Sequence, residues 1–429
     1  MAVTHFHPTA AFIVGRGKDV NPGALSSEEK IYLRELAKRV AEISAKPIQQ
    51  IRKKLWTDHN ALKQTRPLYA LYAEAGWEDL LAFEDMCIKS DMWKDCEWYL
   101  RHLIFRDEFI DDDFVIEPVM FSFVDHYIEN AEFGLTYTGR SSPESGAWVA
   151  DPALKSFDDI DKLLMPELVI NQESTEARYE AMQEVFGDIL SVEHYLASNF
   201  QANQPGQAAR MRGIEPMLLD MYDEPDGLHA LMRFLTDACI SLFKQMQDSG
   251  YLRLNNRNHY VDSGGNGYNE ELTGSQGQPA SLKQLWGFGV AQEFSEVSPQ
   301  MHEEFGVAYQ KEVLDLFGLS SYGCCEPYTN KFDILKQIGN LRRVSVSPWC
   351  DTRKAAEKLE NKYIYSFKPN PSILLYKEEM EEIRSYIQNA LDVAKDCCVE
   401  LFLKDIIHLN GVSGRIPELG HLIRDMVGN

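Results

Sequence analysis

Short apolar runs alternate with amphipathic stretches along most of this chain. The runs typical of β-strands span residues 68–72, 116–123, 189–196, 252–261, 285–292, 316–322, 341–346, 363–367 and 399–403. Between several of them, apolar residues recur every three or four positions, which predicts helices with one buried face. About eight strands that alternate with helices predict an α/β fold, namely a closed (β/α)8 TIM barrel.

Helical periodicity extends beyond these units toward the N-terminus. A start signal at Ser26 and Ser27 is followed by apolar residues at helical spacing as far as about residue 62. We therefore expect an N-terminal helical extension over residues 1–65 and the barrel over residues 66–429. Further helices are predicted at 175–186, 208–222, 225–249 and from Met380 to Ala394, and a surface hairpin at 134–151.

Composition narrows the classes of function. The chain has 429 residues, with 66 acidic against 43 basic side chains and a formal net charge of −23. A surface this acidic disfavours binding to nucleic acid or to anionic membranes, because contact with phosphate needs basic groups. No signal peptide, apolar run of membrane-spanning length or phosphate-binding glycine loop is visible. We expect a cytoplasmic protein that acts on a small molecule, with a homodimer possible and its cysteines reduced.

Candidate metal ligands stand where apolar runs end. In a TIM barrel the active site lies at the carboxyl ends of the strands. Cys324, Cys325 and Glu326 follow one run, Cys350 follows another, and His408 follows the last. Thiol, carboxylate and imidazole groups are ligands of tetrahedral zinc, although the spacing is not that of a zinc finger. We predict Cys325, Glu326 and His408 as ligands, with Cys324 and Cys350 as alternates.

Strand alternation limits this prediction. If the strand continues through these positions, Cys324 and Glu326 point to one face and Cys325 to the other, so all three cannot bind one ion without a bulge. An isolated cysteine is also more often a packing residue than a ligand. His408 is equally well interpreted as a structural histidine.

Other polar residues at the ends of runs predict a substrate pocket. His259, Asp262 and Glu293 are candidate catalytic and substrate-binding residues, and Asn370 and Asp405 are candidate substrate-binding residues. His259 and Asp262 could instead cap the glycine-rich loop that follows them, and Asp405 could instead pair with Lys404. The acidic run 111–113 is interpreted as a solvated turn.

Several short segments resemble the uroporphyrinogen decarboxylase superfamily. Residues 297–305 are similar to its Ser-Pro-x-x-x-x-x-Phe segment, residues 155–163 to the stretch before its central helices, and 323–327 with 404–408 to strand ends of one branch. The resemblance spans roughly residues 66–429 and implies a (β/α)8 barrel. It also implies one of two chemistries, which are metal-free decarboxylation of a tetrapyrrole and zinc-dependent methyl transfer involving a corrinoid or a thiol.

The chain departs from both patterns. It lacks the arginine-rich N-terminal segment of the decarboxylases, and it offers Cys324-Cys325 and His408 where the methyltransferases carry His-x-Cys and Cys. The leading hypothesis is a zinc-dependent methyltransferase that moves a methyl group between a small methylated substrate and a thiol or a corrinoid protein. The alternatives are a metal-free decarboxylase and a non-catalytic barrel that binds a corrinoid or another small ligand. Carriage of a corrinoid by this chain is disfavoured, since no Asp-x-His-x-x-Gly motif is present.

Overall fold

The computed structural model describes strands at 5–6 and 13–14 and then residues 22–141, 148–196, 200–261 and 263–428. Its strands are β1 His5–Phe6, β2 Ile13–Val14, β3 Leu68–Leu71, β4 Val119–Phe123, β5 His126–Glu129, β6 Gly139–Ser141, β7 Trp148–Ala150, β8 Glu167–Ile170, β9 Ser191–Tyr195, β10 Gln201–Ala202, β11 Tyr260–Val261, β12 Gly265–Asn266, β13 Trp286–Gly289, β14 Leu319–Tyr322, β15 Leu341–Val346, β16 Ile364–Phe367 and β17 Cys398–Leu403.

Helices separate most of these strands. They are α1 Ser27–Ser44, α2 Pro47–Asn60, α3 Trp77–Leu80, α4 Asp91–Phe109, α5 Gln172–Phe186, α6 Gln204–Arg212, α7 Ile214–Asp223, α8 Pro225–Asp248, α9 Pro299–His302, α10 Ala308–Leu314, α11 Phe332–Leu335, α12 Thr352–Leu359, α13 Pro371–Tyr376, α14 Met380–Val393 and α15 Arg415–Val427. None of the described helices is long and apolar enough to cross a lipid bilayer.

The main sheet has seven parallel strands in the order β10-β13-β14-β15-β16-β17-β3. The last strand, β17, pairs with the earliest strand of this sheet, β3, and places Leu403 opposite Leu71. The strands β4 and β9 form a separate parallel pair. The α/β class is confirmed, but within the described residues the sheet does not close, so the predicted TIM barrel is not shown.

Side-chain hydrogen bonds explain the open edge of β3. Alternate amides of a strand face opposite neighbours, and Tyr72, just past the end of β3, donates its amide to Leu403 of β17 at 2.9 Å. On the other edge the amides of Tyr69 and Leu71 donate to Asp113 Oδ2 at 3.1 Å and Asp112 Oδ2 at 2.9 Å. These two carboxylates take the place of a strand ladder. The acidic run is therefore not the solvated turn expected from the sequence, since Asp112 and Asp113 are buried.

A second departure occurs in residues 252–261, which predict one long strand and form only the short β11. Here Asn255 uses its side chain where a strand would use its backbone. Asn255 Oδ1 accepts from the Trp286 amide at 2.9 Å, and Asn255 Nδ2 donates to the Trp286 carbonyl at 3.1 Å. The segment therefore attaches to the start of β13 without a backbone ladder.

The predicted helices agree with the structure more closely than the predicted strands do. The N-terminal pair α1 and α2 is confirmed, and Ser26 caps α1 through a reciprocal capping box with Glu29. The predicted helix at 208–222 is two helices, because Gly213 at φ +88° separates α6 from α7. A hairpin does occur within 134–151, formed by β6 and β7. Apolar residues of α1 and of the main sheet share one core, and the division at residue 65 stays a prediction.

Candidate functional site

Two neighbouring thiols lie just beyond the carboxyl end of β14. The strand ends at Tyr322, and Gly323 adopts φ +98°, a conformation that side chains rarely tolerate. Strand alternation stops there, so Cys324 and Cys325 do not point to opposite faces as expected. Their sulfur atoms lie 3.4 Å apart, and the Ser263 hydroxyl donates to Cys324 Sγ at 2.9 Å.

A lysine from the end of β17 faces both thiols. Lys404 Nζ lies 3.7 Å from Cys324 Sγ and 3.7 Å from Cys325 Sγ, and it donates to both carboxylate oxygens of Asp405 at 2.6 Å. The Cys325 thiol also lies 3.5 Å from Asp405 Oδ2. The lysine side chain is only 4% exposed, so its charge reaches the sulfurs with little screening by solvent. The alternative expectation that Asp405 pairs with Lys404 is confirmed.

This arrangement favours a thiolate on one of the two cysteines. The hydrogen bond from Cys325, opposed by burial and helped by the Lys404 ammonium and the Ser263 hydroxyl, lowers the pKa of Cys324 to about 6. The same contact and burial raise the pKa of Cys325 above its ordinary value. The surroundings of the pair therefore favour the thiolate form of Cys324 over that of Cys325.

Next to the thiols and Lys404 lies the carboxylate of Glu74, a residue with a strained backbone. Glu74 Oε2 accepts from the Asp405 amide at 2.7 Å, and the Tyr260 hydroxyl donates to Glu74 Oε1 at 3.1 Å. Glu74 and Asp405 both hold left-handed backbone angles, φ +48° and +61°, which only a well-supported site maintains in non-glycine residues. Burial, with a smaller contribution from Asp405, raises the pKa of Glu74 to about 7. Glu74 can therefore give or take a proton near neutrality.

Two of the predicted zinc ligands, Glu326 and Cys350, accept hydrogen bonds from neighbouring residues. The oxygens of Glu326 accept from the Ala291 amide at 3.0 Å, the Cys324 amide at 3.0 Å and the Tyr328 hydroxyl. Cys350 is buried and accepts from the Tyr328 amide at 3.2 Å, and burial raises its pKa. Both side chains hold the loop that follows β14 in place.

The donors near the thiols do not fit a zinc ion. His408 is exposed on the loop after β17, where its carbonyl oxygen accepts from Tyr376. No group of three or more histidine, cysteine, aspartate or glutamate side chains among the described residues is arranged to hold a metal. The two thiols and Asp405 surround the Lys404 ammonium, which already supplies the positive charge that a metal would bring. Zinc binding stays a prediction that this donor set does not support.

The predicted substrate residues are spread over several places. His259 is buried among aromatic side chains, with its ring centroid 5.7 Å from that of Phe121. Burial and the neighbouring Glu326 raise the pKa of Glu293. Asn370 caps α13 by accepting from the Ser372 amide at 2.9 Å. Asp262 lies outside the described residues, although Ser263 beside it reaches Cys324. Among the predicted substrate-binding residues that the structure describes, only Asp405 contacts the thiol pair.

A second network of charged side chains lies buried along the strands of the same sheet. Glu400 of β17 forms an ion pair with Arg343, whose Nε lies 2.7 Å from its Oε1, and it lies 3.2 Å from His59 Nε2; the Ser366 hydroxyl also donates to it. Lys368 Nζ donates to Ser366 Oγ at 2.7 Å and to the Gly264 carbonyl at 2.6 Å. All of these side chains are buried. Against burial, Arg343 and then His59 lower the pKa of Glu400 to about 2.

Sequence reasoning missed three members of the thiol site, namely Lys404, Ser263 and Glu74. A usable signal existed for Lys404, because it directly follows the apolar run 399–403 and stands closer to the strand end than His408. Glu74 carried no such signal, since its position depends on a left-handed backbone angle.

Comparison with solved structures supports the fold. The chain is similar to a methyltransferase from Methanosarcina mazei, with a TM-score of 0.50 and 9% sequence identity over 88% of this chain and 99% of that one. At this identity the likeness shows a shared fold. No family model and no curated protein sequence matches the chain. Membership of the uroporphyrinogen decarboxylase superfamily therefore stays a prediction.

Proposed function

We propose that this protein is a methyltransferase that takes a methyl group from a small methylated substrate at the Cys324-Cys325 pair. The observation that carries the proposal is the Lys404 ammonium 3.7 Å from both sulfur atoms at the carboxyl edge of the sheet. A positive charge held against a thiol stabilises its thiolate, which is the nucleophilic form. The fold shared with a methyltransferase supports the same conclusion.

The reaction that follows is a displacement at carbon. The Cys324 thiolate attacks the methyl carbon, an S–CH3 bond forms, and the bond from the methyl group to its leaving atom breaks. The leaving atom departs with the electron pair. A thioether or an amine leaves neutral, whereas the oxygen of an ether leaves as an anion and accepts a proton, for which Glu74, with its pKa raised to about 7, is suited. Cys325 remains protonated and donates to the Cys324 sulfur.

A second displacement would release the methyl group to an acceptor. A nucleophile attacks the methyl carbon, the S–CH3 bond breaks, and Cys324 leaves as a thiolate beside Lys404. The ammonium that lowers the pKa of Cys324 also makes it a better leaving group in this step. We propose that the acceptor is a thiol or a corrinoid carried by a partner protein. Because Lys404 supplies the positive charge, no metal ion is needed in either step.

Mass spectrometry tests the proposal directly. The protein is incubated with a panel of small methyl donors that includes a sulfonium, a quaternary ammonium and a methyl aryl ether, and is then digested. We expect one added methyl group on the peptide that contains Cys324, and none in Cys324→Ser. Cys350→Ser is the matched control, since this thiol holds a loop and should leave methylation intact. Methyl transfer that persists in Cys324→Ser would overturn the proposal.

A further inference from the structure

The geometry of the thiol pair also suits a reaction between its two sulfur atoms. Cys324 Sγ and Cys325 Sγ lie 3.4 Å apart, and a disulfide bond is about 2.0 Å long, so closure needs a movement of about 1.4 Å. Both residues follow the end of β14, beyond its backbone ladder, and both are half-buried. A small oxidant can therefore reach sulfur atoms that are already close enough to bond.

The neighbours of the two thiols differ in a way that gives each one a separate part in an oxidation. The Ser263 hydroxyl donates to Cys324 Sγ at 2.9 Å, which together with the Lys404 ammonium favours the nucleophilic thiolate there. Cys325 Sγ instead lies 3.5 Å from Asp405 Oδ2, a carboxylate oxygen that can take its proton. Cys324 is thus placed to react first with an oxidant, and Cys325 to react with the product.

We propose that the Cys324-Cys325 pair is a modification site for hydroperoxides, at which oxidation closes a disulfide between these neighbouring residues. The Cys324 thiolate attacks one oxygen of hydrogen peroxide, an S–O bond forms, the O–O bond breaks, and the leaving hydroxide takes a proton from solvent. Cys325 then gives its proton to Asp405, and its sulfur attacks that of Cys324. The S–S bond forms, the S–O bond breaks, and the departing hydroxide takes the same proton to become water. The two sulfurs together lose two electrons, which the peroxide gains.

The disulfide formed in this way should be easy to reduce. Consecutive Cα atoms lie about 3.8 Å apart across a trans peptide, whereas the two Cα atoms of an ordinary disulfide lie about 4.4–6.8 Å apart. The ring is therefore strained, and strained disulfides are the labile ones. A closed ring also withholds Cys324 from a methyl donor, so peroxide should stop methyl transfer reversibly. This last consequence rests on the proposed function, whereas the oxidation itself does not.

Mass spectrometry of one tryptic peptide tests the oxidation. Residues 312–331 form a tryptic peptide that contains Cys324 and Cys325 and no other cysteine. The reduced protein is treated at pH 7 with a small molar excess of hydrogen peroxide, its remaining thiols are blocked with N-ethylmaleimide, and it is digested. We expect this peptide to be two hydrogen atoms lighter and unlabelled, and to accept two labels after treatment with glutathione. Cys87, which is exposed, is the internal control and should keep its label.

Two labels on peptide 312–331 after peroxide, oxidation that stops at a sulfinic acid, or a disulfide to another chain would each overturn the proposal. Cys325→Ser removes the second thiol and should leave a sulfenic acid on Cys324, which dimedone traps. Lys404→Met keeps both thiols and should slow closure of the ring at pH 6.5 at least about threefold. Closure at the native rate in Lys404→Met, or no dimedone adduct in Cys325→Ser, would contradict the assigned roles.

The same samples separate this inference from the proposed function. Oxidised and reduced protein are each incubated with the methyl donors, and methylation of Cys324 is measured. We expect methylation to cease in the oxidised protein and to return after reduction with glutathione. If the disulfide forms and methyl transfer continues, the proposed function is wrong and the oxidation stands. If Cys324 is methylated and no disulfide forms, this inference is wrong and the proposed function stands.

Discussion

Two charged side chains four residues apart, one within β17 and one just past its end, have different roles. Glu400, in the interior of the sheet, is fully buried and held by Arg343 and His59. Lys404, one residue past the end of the strand, faces two thiols and the half-exposed Asp405. The first group is enclosed by fixed partners of opposite charge, whereas the second is placed against groups that can react.

This difference shows where a parallel sheet can place reactive side chains. Within the strands of the main sheet, the buried charges of Arg343 and Glu400 neutralise each other, and removing one partner leaves the other buried without compensation. Past the strand ends the backbone can adopt left-handed angles, as at Gly323, Glu74 and Asp405, and it can bring side chains of different strands together. We therefore expect interior substitutions to act on stability and edge substitutions to act on reactivity.

The largest effect is expected for Glu400→Gln. The substitution keeps the shape of the side chain but removes the charge that pairs with Arg343 and His59. Breaking a buried ion pair costs about 3–5 kcal/mol, and the free energy of unfolding measured in urea should fall by that amount. Asp405→Asn is the control at the edge, where a half-exposed pair contributes less than about 1 kcal/mol. If the free energy of unfolding falls equally in the two variants, the distinction between interior and edge charges is wrong.

An alkaline loss of stability should follow from the same interior network. Burial lowers the pKa of His59, but the Cys398 sulfur and the Glu400 carboxylate outweigh it and raise this pKa to about 9. Because the folded pKa lies above the unfolded value, the stabilisation is complete below about pH 6.5 and disappears as pH rises through 9.

The free energy of unfolding should therefore decrease by on the order of 2 kcal/mol between pH 7 and pH 9. Urea titrations at several pH values measure this slope. Other groups titrate in the same range, so the informative quantity is the difference between the native protein and Glu400→Gln, which should show a flatter curve. Parallel curves would mean that His59 is not protonated by this network.

Much of the fold was predictable because apolar patterning reports burial. The runs at 341–346 and 399–403 give strands with those bounds to within a residue, and α14 begins at the predicted Met380. Closure was not predictable from patterning, because Asp112, Asp113 and Asn255 replace backbone ladders with side-chain contacts. The same reasoning located Cys324 and Cys325 at a strand end but not their cation, which comes from a strand far along the chain.

At the edge of the sheet, Lys404→Met should slow the reaction of Cys324 with iodoacetamide. Loss of a close positive charge raises the pKa of a thiol by about one unit or more, so alkylation at pH 6.5 should be at least about threefold slower. The native rate should rise through about pH 6, above which Cys324 is a thiolate. Rates are followed on the Cys324 peptide by mass spectrometry, and Cys324→Ser sets the background. Superimposable pH profiles for Lys404→Met and the native protein would exclude Lys404 as the source of the low pKa.

The smallest effect is expected for His408→Ala, and it separates the lysine from a metal as the cation of the thiol site. His408 is exposed and contacts Tyr376 through its carbonyl oxygen, a bond that alanine retains. Methylation of Cys324 should change by less than about twofold. Metal analysis after mild purification should find less than about a tenth of an equivalent of zinc in both proteins, since Lys404 fills the space between the sulfurs and Asp405. A full equivalent of zinc that is lost in His408→Ala or Cys325→Ser would restore the zinc-dependent mechanism, with the lysine displaced when the ion binds.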